Sequence, residues 1–207
     1  MPGSDAVIHQ RNAAEIASSF LSRDGKSLPI LMGYPPHLPE GVVGRVENDA
    51  TMVEYRSAKG QACTDHLIAT KRPDGKHAVV LSKRNIAEPF GGFWWMHGGS
   101  IGAYMSIVSF IASRSLSESG VKVKPQVLIG VYYTSAPDSP QSSVQPLYAS
   151  LVPYKALETV TTDAKHDSIR AFTTEDLGHL LPEERHWYPM STSLLLLAAL
   201  KGANIEL

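Results

Sequence analysis

Apolar residues recur at i, i+3, i+4, i+7 and i+8 through Ala13, Ile16, Ala17, Phe20 and Leu21, which predicts a helix over residues 10–22. Gly25 and Pro29 end it. Residues 29–45 are rich in Pro and Gly but too apolar for a free linker, so they read as an arm packed on a sheet or on a partner subunit. Strand patterning begins after residue 60. Residues 63–70 predict a strand, Asp74-Gly75 a hairpin turn, and residues 77–82 the returning strand. Residues 84–92 read as a loop. Residues 93–96 read as a short buried strand, with Trp94 and Trp95 packing on alternate sheet faces, followed by a Gly98-Gly99 turn.

A helix is expected over residues 102–119, ended by Gly120. Tyr104, Ile107, Val108, Ile111 and Ser115 share one stripe, with Met105 and Phe110 beside it. So much apolar girth predicts burial between layers. Residues 126–134 form a strong strand pattern, residues 136–146 a Ser/Pro loop, and residues 147–152 another strand. Residues 159–167 are polar and loop-like, and residues 168–172 suit a short strand. Thr173, with Asp176 three positions on, caps a helix over 173–181. A Leu-rich helix follows over 193–201, with Ser191 and Thr192 as its candidate caps. There are no internal repeats. This order predicts an α/β chain, a mixed sheet sandwiched by helices.

Composition narrows the picture. A length of 207 residues suits one decorated domain, and 43% apolar with 19% charged residues suits a folded one. The formal net charge of -1 points away from nucleic acid as partner. No apolar run approaches about 18 residues, so no membrane span is expected. Cys63 is the single cysteine, which excludes an internal disulfide and, with no signal pattern at the N-terminus, leads to a cytoplasmic reading. The phosphate-loop, HExxH, cysteine-cluster and GxSxG motifs do not occur.

The stretch 91–121, GGFWWMHGGSIGAYMSIVSFIASRSLSESGV, carries the chemistry. Its strand–loop–helix layout resembles the signature box of the Nudix hydrolase superfamily, G-x5-E-x7-R-E-U-x-E-E-x-G-U. The box runs without gaps from Gly99 to Gly120 and Val121. Met105, Ser113, Arg114 and Ser117 stand where the box has Glu, Arg, Glu and Glu, and Glu118 is the retained acid. The resemblance implies a Nudix-type α/β/α sandwich over residues 61–207, with residues 1–60 as an N-terminal helical extension packed on it.

Within that superfamily the chain is most similar to the GDP-mannose mannosyl hydrolase branch. Lys83-Arg84, a Pro-containing loop, Gly92-Phe93-Trp94 and Gly98-Gly99 follow that branch's KR…GYW…PGG, and His166-Asp167-x-x-Arg170 follows its HDxxR run. The branch implies water attack on the sugar carbon of a nucleotide sugar, with release of an intact nucleoside diphosphate and one Mg²⁺ on the leaving group. By alignment, Gly98 and Glu118 would hold the metal, His166 would be the base, Arg84 would assist the leaving phosphate, and Asp65 would face the sugar. A neutral-range imidazole suits proton removal from water, and a planar guanidinium suits phosphate oxygens. Asp167, next to His166 along a strand, could not easily orient it.

Each residue also has a plainer reading: a surface Glu at a helix end, a loop histidine, a solvated Arg, a strand-face Asp. The chain departs from the branch as well. Ser100 replaces an Arg, His97 replaces a Pro, and Lys165 replaces a Gln metal ligand. An ammonium cannot coordinate a cation but can hold a phosphate. Two functions therefore stand side by side: a nucleotide-sugar hydrolase, and an inactive Nudix-fold domain binding a nucleotide-like ligand or a protein. A homodimer is the expected assembly.

Overall fold

The computed structural model describes residues 8–10, 12–14, 16, 61–88, 90–101, 106–135 and 142–203. The arm at 29–45, most of the first predicted helix and residues 102–105 lie outside them. One mixed sheet of eight strands organises the described residues. Its central strand, β2 (Gln61–Lys71), runs parallel to β7 (Ser142–Leu151) on one edge. Its other edge is shared. The second half of β2 pairs with β3 (His77–Arg84) from Ile68↔Val80 to Lys71↔His77, and its first half pairs with β5 (His97–Ser100) from Cys63↔Ser100 to His66↔His97. Strands β2 and β3 thus diverge beyond Ile68. β4 (Trp94–Trp95) joins β3 inside the wedge, and β8 (His166–Phe172) lines the far edge of β3. β6 (Val127–Ser135) links β7 to β1 (Ile8–Gln10).

Helices cover both faces. Alternation along β2 sends Leu67 and Ala69 to one side, where they join Leu196, Leu197 and Leu200 of α3 (Trp187–Ala203) in the main core. Ile68 faces the other way into a smaller cluster with Val80, Val121 and Val152. There, too, α1 (Ile107–Ser119) packs Ile111 against Leu128 and Tyr148. α2 (Thr174–Gly178) starts from the expected cap: Thr173 and Asp176 close a reciprocal capping box. Ile16, in a helical turn near the N-terminus, is fully buried in the main core. No helix among the described residues is long and apolar enough to cross a membrane.

Several expectations change. Gln10 ends strand β1, and Ala13 is the first described helical residue. α1 begins at Ile107, because the Ser106 hydroxyl accepts from the Ser109 N–H at 3.1 Å and caps it. Only one side of α1 is buried, and Val108 and Leu116 are exposed, so it covers the sheet rather than lying between layers. Residues 142–146 belong to β7, held by pairing with β6 from Ser135↔Ser142 onward. α3 starts at Trp187, and the Ser191 and Thr192 hydroxyls return to Tyr188 O at 3.2 and 2.8 Å, inside the helix. Pro189 is tolerated there because the first helical turn needs no N–H. Trp94 and Trp95 join the same core cluster.

Candidate functional site

The wedge between β2 and β3 collects the polar residues. Gly98 and Gly99 are strand rather than turn, because β5 lies against β2 more closely than a side chain allows. A Cβ on Gly98 would overlap Thr64 O and would stand 2.5 Å from Asp65 Oδ1. Asp65, the register partner of Gly98, is buried and accepts from the Tyr188 hydroxyl at 2.8 Å. Burial raises its pKa to about 6, against the pull of that hydrogen bond and of nearby Arg84.

Glu118 reaches the opposite side of Gly98. Its Oε2 accepts the Gly98 N–H at 3.3 Å, and its Oε1 lies 3.6 Å from Arg114 Nη1, one helical turn back. Burial raises the Glu118 pKa to about 7, opposed by Arg114, the Gly98 N–H and Arg84, and aided by Asp163. Arg84 is the common neighbour, lowering the pKa of both carboxylates. Its nearest carboxylate oxygen in an ion pair is Glu88 Oε2, at 3.9 Å, and its Nε is buried without a partner among the described residues.

His166 comes to Arg84 through a β-bulge. Lys83 pairs with Ser168, but the register then slips, and Arg84 pairs with His166 instead of Asp167. Asp167 is displaced outward and accepts from Asn85 Nδ2 at 2.8 Å. The buried His166 ring places Nδ1 2.6 Å from Asp163 Oδ1. Asp163 is the residue that sequence reasoning missed. Its carboxylate also accepts the Lys165 N–H at 2.9 Å, an Asx turn that folds it back onto the histidine three positions on. The D-x-K-H spacing carried that signal. Lys165 itself is exposed, and its described bonds are made by its backbone.

Two further histidines lie beneath the wedge: His66, which the sequence did not single out, and His97, named there only for standing in place of a Pro. His66 lies between Ser150 Oγ at 2.8 Å and Ser115 Oγ at 3.1 Å. Ser150 gives its own proton to Lys124 O, so His66 Nε2 donates and Nδ1 accepts from Ser115. Burial and nearby His97 lower its pKa to about 3. His97 Nε2 meets Ser82 Oγ at 3.0 Å, and its Nδ1 is buried without a partner among the described residues. Burial first, then His166, lowers the His97 pKa to about 4, while Asp163 opposes the shift. These neutral rings tie α1 and β5 to the sheet beneath the site.

The implied Mg²⁺ finds a poor donor set. Both Glu118 oxygens already face donors, one of them a guanidinium, and Arg84 lies beside both carboxylates. Among the described residues, no three His, Cys, Asp or Glu side chains group as a cation site. The described residues do not fit the metal.

Comparison of folds places this geometry. The chain is similar to the MutT protein from Methanosarcina mazei Go1, at TM-score 0.52 and 14% identity, over 70% of this chain and 96% of that one. It is similar to the NUDIX domain of Shewanella oneidensis NrtR complexed with ADP ribose, at TM-score 0.52 and 18% identity, over 69% and 96%. A C. elegans Ap4A hydrolase binary complex matches at TM-score 0.52 and 12% identity, over 69% and 98%. No protein-family model and no curated protein sequence matches the chain. At these identities the likeness shows the fold: the chain has the α/β fold of Nudix hydrolases.

Proposed function

We propose that the wedge binds a nucleoside-diphosphate-linked ligand, a nucleotide sugar of the GDP-mannose type, and hydrolyses it at the sugar C–O bond. The observation that carries this reading is the bulge. It sets His166 beside Arg84 and leaves the imidazole held by Asp163 at 2.6 Å. A base oriented by a carboxylate, next to a phosphate-binding cation, is what attack by water requires. His166 Nε2 takes a proton from water, and the hydroxyl oxygen bonds to the anomeric carbon. The C–O electron pair leaves with the diphosphate, whose charge Arg84 meets. Asp65, fixed by Tyr188, faces the sugar. The folds of an ADP-ribose-bound domain and of an Ap4A hydrolase support a phosphate-bridged nucleotide as ligand class.

The test is ³¹P NMR of the chain with a pool of nucleotide sugars in H₂¹⁸O. Nucleoside diphosphate should appear with the label in the sugar, and His166→Ala should abolish it. Label in phosphate would mean phosphorus attack and would overturn the assignment. One observation favours a second reading, binding without turnover: Arg114 occupies a box acid's position and pairs with the retained Glu118. Ligand-induced stabilisation without any product would select it.

A further inference from the structure

The donor set that rejects a divalent cation has a chemistry of its own. We infer that Arg114 and Arg84 form a built-in, metal-independent site for a diphosphate group, with the Arg114 guanidinium taking the place of the ion. This rests on the reading of the wedge as a diphosphate-binding cleft.

Arg114 falls where the box has a Glu. The structure holds its side chain toward β5. Its Nη1 is 3.6 Å from Glu118 Oε1, and its guanidinium carbon is 5.6 Å from the centre of the Phe110 ring. A Cβ on Gly99 would come within 3.0 Å of Arg114 Nη2, so the glycine leaves the space the guanidinium uses. The side chain is 35% exposed, so part of its donor fork remains open to solvent. Arg84, opposite His166 in the register of β3 with β8, has a buried Nε with no acceptor among the described residues, and its charge acts on Glu118. Guanidinium groups grip the oxygens of a diphosphate through paired N–H bonds. No covalent step is involved.

The test uses the full chain and inorganic pyrophosphate as probe, by isothermal titration calorimetry in EDTA and again in Mg²⁺ at matched free pyrophosphate. Binding should occur in EDTA with no gain from Mg²⁺. Arg114→Gln should weaken it at least tenfold, and Arg114→Lys should recover part of the loss, because a point charge replaces the fork. Circular dichroism verifies that both variants fold. Arg114→Glu restores a box acid and should make binding depend on a divalent ion, read by Mn²⁺ EPR. Binding in EDTA that is indifferent to Arg114, or binding that requires Mg²⁺ in the unaltered chain, would overturn the inference and leave the diphosphate reading standing. No pyrophosphate or nucleotide-sugar binding under either condition would overturn both.

Discussion

At the scale of single residues, the wedge is a set of ionisable groups held away from their ordinary protonation. Glu118 has its pKa raised from 4.5 to about 7 by burial. A raised folded pKa gives stability that is fully present below the unfolded value and is lost as pH rises through the folded one. Glu118→Gln keeps the acceptor for the Gly98 N–H and removes the titration. Its stability should equal that of the unaltered chain below about pH 4.5 and exceed it by about 1–3 kcal/mol above pH 8, measured by urea melts across pH. Asp65 acts in the same direction, with its folded pKa at about 6. His66 and His97 act oppositely: their depressed pKa values, about 3 and 4, give stability present above 6.5 and lost as pH falls through those values. In the proposed reaction Asp163, 2.6 Å from His166 Nδ1, positions the base. Asp163→Asn should lower kcat about a hundredfold with KM little changed. ¹⁵N NMR should show the His166 ring losing its preference for the Nδ1-protonated tautomer, which a merely structural role for Asp163 would not produce.

Elements place these residues by exceptions to regularity. The bulge between Lys83 and Arg84 exchanges Asp167 for His166 at the register position facing Arg84. The close contact of β5 with β2 makes Gly98 a structural requirement. Gly98→Ala drives a Cβ into Thr64 O and Asp65, and should destabilise by about 3 kcal/mol. Gly75→Ala, at φ +80° with open space around it, should lose only about 1 kcal/mol. Thermal or urea melts of the two variants measure the difference. α1 is anchored at both ends, by Ser106 at its start and by Gly120 at φ 71° at its end, which keeps Arg114 and Glu118 in fixed phase.

At the scale of the whole molecule, the N-terminal stretch takes part in the fold where it is described. β1 pairs with β6, and Ile16 is fully buried among core residues that include those of the C-terminal helix. Ile16→Ala should cost about 3 kcal/mol in a urea melt, the range for emptying a core site. A loss under about 0.5 kcal/mol would mean that Ile16 contributes nothing to the main core.

The sequence determined the local elements whose signals are local. The Asp74-Gly75 hairpin, the Gly120 helix end, the Thr173 capping box and the apolar strands could be read directly, because each depends on a few neighbouring residues and their backbone preferences. The box register pointed to Glu118, and the similarity to one branch pointed to Gly98, Arg84, His166 and Asp65; these residues lie around one wedge. Other features needed partners distant in sequence. Gly98-Gly99 looks like a turn until β2 lies against it, and 142–146 looks like a loop until β6 supplies the ladder. Tyr188 joins Asp65 across 123 positions, and no local pattern encodes that bond. Arg114 could be seen in the sequence as a missing acid one helical turn from Glu118, but its approach to Gly99 became visible only once the helix was set down beside β5. Backbone preference acts within a few residues, whereas burial, register and charge pairing are decided by what the fold brings into contact.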